Sequence, residues 1–540
     1  MQIDVLIETW STILSDPADL YNTSRSVTEA LKVLLLAAAI GLALAWKRLP
    51  VRVSSRLLIV LVVLTTLNYN RFGPRLLFDK VDTYDLYHYY LNAKYFDELG
   101  YYDLYPAAIL ADHQAGGPHF EEGSRYMAQD PSGHGIRPIS HALARGRWVK
   151  QNQFTPERWE DFRYDALYLQ REIRGFNDKI WRQMIQDHGY NGTPAWTTLA
   201  RPVARVVPVE SIKLLGFIDV ALLLVAAGAT HWAFGANAAG WLWIMLMTSY
   251  STRWPTISWS YLRYDYLCAL IVGMALVKKG RYLLGGVLTG YSASMRLFPA
   301  VWLYGPGMKG LFGLVKGTVH RQLLVLLGGF LLSVGTLQAV TLVGLGSEQV
   351  KVHFENMVDH NTADQLSSRR IGLALALPYV PGQSVPKYIE PARKKRVEEQ
   401  KTLRYGLAAV LMLALGWGLR NARDEETYAF GFVPFFLLTT ASYYYYVTRA
   451  TLFIMHAADL SKLRNRVGLS WLLGLELLCF WSEVVYPGHR VFLIGNLAWG
   501  LTGYIVLMAV WFIAESLGSS SESAEAQATP QRAGARDADA

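Results

Sequence analysis

Twelve apolar runs divide this 540-residue chain, at about 30–46, 57–77, 212–234, 238–257, 259–277, 282–304, 321–346, 403–419, 428–441, 444–458, 467–486 and 491–514. Several approach the roughly 20 residues that a membrane-spanning helix needs. Charged types make up 18% of the chain, below the roughly 25% usual in a soluble domain. The runs therefore predict an all-α polytopic membrane protein with one sizeable polar insertion. In such a protein a net charge of +9 reflects Lys and Arg gathered at membrane borders, and it does not point to nucleic acid.

Basic clusters orient the runs. Lys47, Arg48, Arg52 and Arg56 lie between the first two; Lys278, Lys279 and Arg281 follow 277; Lys316, His320 and Arg321 precede the seventh; Arg420 and Arg423 follow 419; Lys462, Arg464 and Arg466 precede 467. The positive-inside rule places all of these in the cytoplasm. The alternation works if the 282–304 run is an outward helix to about 294 and an inward helix from about 298 to 315, with Arg296 and Pro299 at the outer turn. That gives about 13 passes, an outside N-terminus and an inside C-terminus. The basic stretch 387–402 then falls outside, unless residues 371–385 also cross.

The expected organisation is an N-terminal segment with an extra helix (1–56), a first core helix (57–78), an extracytoplasmic loop domain (79–211) and core helices (212–346). An outer loop with a basic segment (347–402), C-terminal helices (403–515) and a disordered tail (516–540) follow. A loop of about 130 residues is normally functional or a small domain. Cys268 and Cys479 lie inside apolar runs, so no disulfide framework is expected. The first 20 residues carry Asp4, Glu8, Asp16 and Asp19 without a basic start, so no cleavable signal peptide is expected. No internal repeat, P-loop, HExxH helix or Gly-x-Ser-x-Gly elbow is present.

The stretch DKVDTYDLYHYYLNAKYFDELGYYDLY (79–105) follows the second run and holds three acids, Asp79, Asp82 and Asp85. Carboxylates at a bilayer border ionise cheaply and face lipid-borne substrates, so all three are candidate catalytic groups. Apolar residues at Leu86, Tyr89, Tyr90, Ala93, Phe96 and Leu99, with Gly100 after them, predict an amphipathic helix. Asp85 would then be its N-cap and Gly100 its C′ residue, a purely structural role that competes with a catalytic one. His88 and Tyr89 share this helix and are candidate substrate-binding residues.

Arg263 and Asp265 in WSYLRYDYL, Arg296 in SASMRLFPA and Arg449 in SYYYYVTRATLFIMH lie in or beside apolar runs. An arginine costs about 2.5–3.5 kcal/mol at the bilayer centre even on lenient scales, so each needs an anionic partner. That partner is either an internal carboxylate or a bound phosphate, whose oxygens match the guanidinium fork. The loop HFENMVDHNTADQLSSRRIG (353–372) offers His353, His360, Asn361, Arg369 and Arg370. A histidine in such a loop is more often solvated than functional. In DHGYNGTPAW (187–196), a turn by composition, Tyr190 and Trp196 either stack on a sugar or close the loop domain.

These motifs resemble the GT-C superfamily of integral-membrane glycosyltransferases, and most closely the bacterial polyprenol-phosphate-mannose-dependent mannosyltransferases. The likeness rests on Asp85, Tyr89, Ala93, Gly100 and Tyr105, on GGVLTGYSASMRLFP (285–299) with Arg296 where that family commonly has Lys, and on the late SYYYY segment. It is spread over most of residues 57–460. The 79–211 insertion is longer than usual for those enzymes, and the extra first helix is a second departure.

The resemblance implies transfer of a sugar, mannose or another hexose or pentose, from a polyprenyl-phosphate donor to an extracytoplasmic lipid, glycan or protein acceptor, with inversion. Asp85 would be the general base, with Asp82 and Asp79 in reserve. Arg296, Arg263 and Arg449 would bind the donor phosphate. His88, Tyr89, His360, Asn361, Tyr190 and Trp196 would contact substrate. It implies no organic cofactor and leaves a divalent metal open. The partners would be the lipid-linked sugar, the acceptor and membrane lipids, and the location a bacterial inner membrane. A transporter or lipid flippase without transferase activity is the alternative reading, and a membrane scaffold that leaves Asp85 as a cap only is the third.

Overall fold

The structure, a computed structural model, describes residues 25–73, 75–78, 80–117, 123–130, 133–171, 177–187, 189–253, 256–360, 370–378, 391–485 and 490–528. Among them seven helices are long and apolar enough to cross a membrane: Arg25–Arg48, Val51–Tyr69, Lys213–Phe234, Arg321–Leu345, Lys401–Asn421, Leu463–Val485 and Ile494–Gly518. Their outward faces are apolar. On Val51–Tyr69 the exposed side chains include Leu57, Ile59, Val60, Val63, Leu64 and Leu67. A contiguous apolar face of this size has no place in water and is covered by lipid. The protein is a predominantly helical membrane protein.

The remaining apolar runs form shorter helices, Ala236–Thr248, Asp265–Lys278, Tyr282–Arg296, Tyr304–Val315, Phe432–Leu438 and Ala450–Ala457. The expected turn between 294 and 298 is a break at Leu297, which takes φ +56° between a helix ending at Arg296 and a 3₁₀ segment, Phe298–Leu303.

Two stretches inside apolar sequence are not α-helical. One comprises the described residues of 249–264; the other, 439–449, holds the Ala441–Ser442 strand and the Tyr443–Arg449 3₁₀ segment. Irregular backbone at membrane depth persists only where protein groups replace the lost helical hydrogen bonds. Buried carboxylates do so here. Asp219 accepts the backbone N–H groups of Arg263 and Tyr264 at 2.9 Å on Oδ1, and Glu476 accepts the Tyr250 N–H at 2.7 Å and the Ser249 hydroxyl at 3.1 Å. The Tyr69 hydroxyl donates to the Thr252 carbonyl and accepts from the Ile257 N–H, both at 2.9 Å. The two stretches also touch each other: the Ser251 hydroxyl donates to the Tyr443 carbonyl at 2.9 Å.

The described residues of 80–211 form a helical domain around the Thr83–Leu99 segment. Leu104–Gln114, Ile139–Gln153, Pro156–Arg171 and Pro194–Val206 surround it, and Tyr87, Tyr95, Trp159, Phe162 and Trp181 fill its core. The all-α expectation needs one amendment. Arg125–Asp130 and Gly133–Pro138 pair as an antiparallel hairpin, and Arg370–Ile371 pairs with Ala441–Ser442.

Two further expectations change. Residues 373–376 form a single four-residue helix, so the described part of 371–385 holds no span. The last helix continues to Ala528, into the segment expected to be disordered. Ala and Glu are good helix formers, and adding residues to an existing helix avoids the cost of nucleation.

Candidate active site

Asp82, not Asp85, caps the first helix of the loop domain. The Asp82 side chain accepts the Asp85 N–H at 3.2 Å, and its own N–H donates to the Trp259 carbonyl at 2.9 Å. The cap therefore ties the loop domain to the irregular 249–264 stretch, and Asp85 falls at the third helical position with its carboxylate released from capping. The helix then widens into a π-turn over Tyr87–Leu91, a feature found frequently at functional sites. Gly100 ends this segment with φ +54°, a conformation that only glycine adopts without strain.

Asp85 Oδ1 lies 3.0 Å from Arg263 Nη1, with both side chains about nine-tenths buried. Among the described residues, Asp85 Oδ2 is buried and makes no hydrogen bond. A carboxylate with a solvent-shielded oxygen left over is poised to accept a proton from a third group. The position of Arg263 is dictated by its own backbone: Asp219 holds the N–H of Arg263 and of Tyr264, so the guanidinium turns back toward the loop domain. There it covers the Tyr444 ring, with Cζ 4.5 Å from the centroid, and the Tyr89 ring at 5.5 Å.

Arg296 approaches the same Tyr89 ring, at 5.9 Å, together with Trp196 at 5.9 Å and Tyr266 at 5.6 Å. Among the described residues it forms no ion pair. Nη1 donates to the Met295 carbonyl at 3.0 Å, Nη2 to the Leu262 carbonyl at 3.4 Å, and Nε has no partner. Two guanidinium groups thus share one aromatic ring, with Asp85 paired to Arg263 and Asp265 acting on Arg296 from beyond ion-pair distance. This is an aromatic-walled site whose guanidinium groups are able to take a phosphate.

Other candidates fall elsewhere. Arg449 is fully buried and bonded to Glu476, Nη2 to Oε1 at 2.7 Å, with Nε on the Tyr446 carbonyl at 3.0 Å. Its charge is met inside the protein, so it is a structural partner of Glu476. His88 is also committed. Nδ1 lies 2.7 Å from the Tyr84 carbonyl and Nε2 2.6 Å from the Tyr105 hydroxyl. A carbonyl only accepts, so Nδ1 carries a proton, and burial lowers the ring's pKa.

Tyr190 and Trp196 are buried and close the fold rather than offering open faces. The Tyr190 hydroxyl bonds Thr197 at 2.6 Å, and Trp196 Nε1 donates to the Leu262 carbonyl at 3.2 Å. Both pack edge-on against Tyr89, whose hydroxyl donates to Asn191 Oδ1 at 2.7 Å. They position Tyr89 between the arginines. Asp79, Asn361, Arg369 and the His360 side chain lie outside the described residues.

Three residues at the site were not singled out from the sequence. Asp219 sits mid-run in LGFIDVALLL, and an acid there is itself a signal. Asn191 and Tyr444 were hidden in a turn and a tyrosine run. Arg370, named from the sequence, is brought beside this segment by its strand pairing with Ser442, next to Tyr443 and Tyr444. Among the described residues, no group of three or more His, Cys, Asp or Glu is placed to hold a metal ion.

No family model, curated protein or solved structure matches this chain. The functional reading therefore rests on the residues of the site.

Proposed function

We propose that the chain is a GT-C-like membrane glycosyltransferase of about 13 passes. On this reading it moves a sugar from a polyprenyl-phosphate donor to an extracytoplasmic acceptor in a bacterial inner membrane. The observation that carries the reading is Asp85, with one oxygen on Arg263 and one unpartnered, beside a second arginine that has no ion pair. A general base must reach its proton within about 2.6–3.2 Å, and the buried Oδ2 is the atom available for that.

The steps balance without any further reagent. The donor phosphate settles between Arg263 and Arg296. The acceptor hydroxyl oxygen attacks the anomeric carbon while its proton passes to Asp85 Oδ2. The bond from that carbon to the phosphate oxygen breaks on the opposite face, which inverts the configuration. The electron pair leaves on polyprenyl phosphate, and the two guanidinium groups stabilise the charge that develops there. Full-length protein in lipid, given a polyprenyl-phosphate sugar and a membrane glycan extract, should release polyprenyl phosphate and label an acceptor; no release with any such sugar sinks the reading.

One observation favours a second reading. The irregular stretches 249–264 and 439–449 meet at the site, where Arg263 covers the Tyr444 ring, and interrupted helices are a feature of solute carriers. A carrier would move the lipid-linked sugar intact, so recovery of unhydrolysed donor from the opposite leaflet would favour it.

A further inference from the structure

The Tyr282–Arg296 helix carries Arg296 at one end and begins next to Arg281 at the other, about 22 Å away for 15 residues at ~1.5 Å each. A separate cavity of about 360 Å³ opens at this second end. It is lined by Arg281, Tyr282, Leu283, Leu284, Arg321 and Val325, among others. The cavity exists because two helices approach there almost backbone to backbone. A Cβ on Gly286 would meet the Leu326 carbonyl oxygen at 2.0 Å, and one on Gly329 the Leu283 carbonyl oxygen at 2.1 Å. Small residues on both sides permit such contact between membrane helices, and the helix ends splay around the arginines.

We infer that this cavity is a binding site for an anionic phospholipid, distinct from the Asp85 site. Arg281 and Arg321 are exposed, and among the described residues neither side chain has an ion pair or hydrogen bond. Arg281 lies 5.8 Å from the Trp232 ring, an aromatic at the same level, as does Lys279 at 5.2 Å. Among the described residues no acid lines the cavity. Asp424, beside Tyr282, already accepts from Tyr282 and Lys309. Arg321 is the first residue of a membrane-spanning helix, and Arg281 lines the same cavity, so the two guanidinium groups sit together where that span begins. Beside them Leu283, Leu284, Leu324 and Val325 are 46–57% exposed. A phosphate held by two arginines above an apolar wall fits a phospholipid headgroup continuing into its acyl chains. A free phosphate would leave that wall uncovered.

The test uses purified full-length protein in detergent, titrated with phosphatidylglycerol, phosphatidylcholine or inorganic phosphate, with bound lipid counted by native mass spectrometry. A basic residue near an anionic lipid surface contributes roughly fivefold in affinity, so Arg281→Gln with Arg321→Gln should weaken phosphatidylglycerol at least tenfold. Val325→Trp, which fills the apolar wall and keeps both arginines, should also displace it. Arg52→Gln with Arg56→Gln, at another helix end, should leave it bound. Equal affinity for phosphatidylcholine, equal loss in the Arg52 and Arg56 control, or inorganic phosphate that displaces the lipid at similar concentration would overturn the inference.

Discussion

Asp85 gives one carboxylate oxygen to Arg263 at 3.0 Å and keeps the other buried without a partner. The pair joins two parts of the chain 178 residues apart, the loop domain and the irregular stretch between two apolar helices. A purely structural ion pair gains from using all of its hydrogen-bonding capacity, because a buried unsatisfied oxygen costs about 1–3 kcal/mol. Glu98 Oε2 and Asp265 Oδ1 are likewise buried without a partner among the described residues, so what sets Asp85 apart is its place beside Arg263 and Arg296 on the Tyr89 ring.

The two arginines should fail differently. Arg263→Gln leaves Asp85 buried without its counter-charge and removes a phosphate ligand, so both kcat and stability should drop. Arg296→Gln removes a cation that forms no ion pair among the described residues and has Asp265 only beyond ion-pair distance, so KM for the lipid donor should rise about tenfold or more with a smaller fall in melting temperature than in Arg263→Gln. Steady-state kinetics with differential scanning fluorimetry reads both. Identical behaviour of the two variants contradicts the assignment.

Arg449 and Glu476 should behave as a structural unit. Arg449→Met alone leaves a buried carboxylate, and breaking such a pair costs about 3–5 kcal/mol. The double change Arg449→Met with Glu476→Leu should recover part of that loss. It should not recover all of it, because Glu476 also holds the Tyr250 N–H. Thermal melts of the three variants measure the coupling. A full-strength Arg449→Met melt would show that the pair carries little.

Neighbouring glycines give a sharp contrast. A Cβ on Gly328 meets nothing within 4 Å, whereas one on Gly329 meets the Leu283 carbonyl at 2.1 Å. Gly328→Ala should stabilise the helix by up to ~1 kcal/mol through backbone entropy. Gly329→Ala should force two helices apart and lower the melting temperature. Equal shifts in the two would contradict the close approach.

His353 is buried against Tyr101, and burial pushes its pKa down to about 4. The unfolded imidazole takes a proton near pH 6.5, so the folded state loses ground as pH falls from there toward about 4. The slope reaches at most ~1.4 kcal/mol per pH unit. His88, lowered in the same direction by burial, adds to it. Melting temperature should fall between pH 7 and 5, and less steeply in His353→Phe. An unchanged slope in that variant would remove His353 as a cause.

The sequence made the membrane class legible because several apolar runs reach the length of a span, and it made the arginines legible because a charge in such a run demands a partner. Arg449 illustrates the limit. Its need for an anion was plain, but Glu476, 27 residues on, could not be chosen over a phosphate without coordinates. The N-cap went to Asp82 instead of Asp85 for a similar reason. Both offer a carboxylate before an apolar run, and the choice was made by the Trp259 carbonyl, which fixes the Asp82 backbone from a remote stretch. Tyr190 and Trp196 looked equally suited to sugar or core, and packing around Tyr89 put them in the core. The interrupted helices were invisible because their hydrogen bonds are satisfied by Asp219 and Glu476, residues that read individually as isolated acids in spans.

The most direct measurement is sugar transfer by Asp85→Asn protein that melts like the wild type and still binds the lipid donor. Asparagine keeps a hydrogen bond from Arg263 but cannot take a proton. The expected result is a loss of at least ~10²-fold in kcat, the usual contribution of a general base, with donor affinity within a few-fold of wild type. Transfer at the wild-type rate would contradict the role of Asp85.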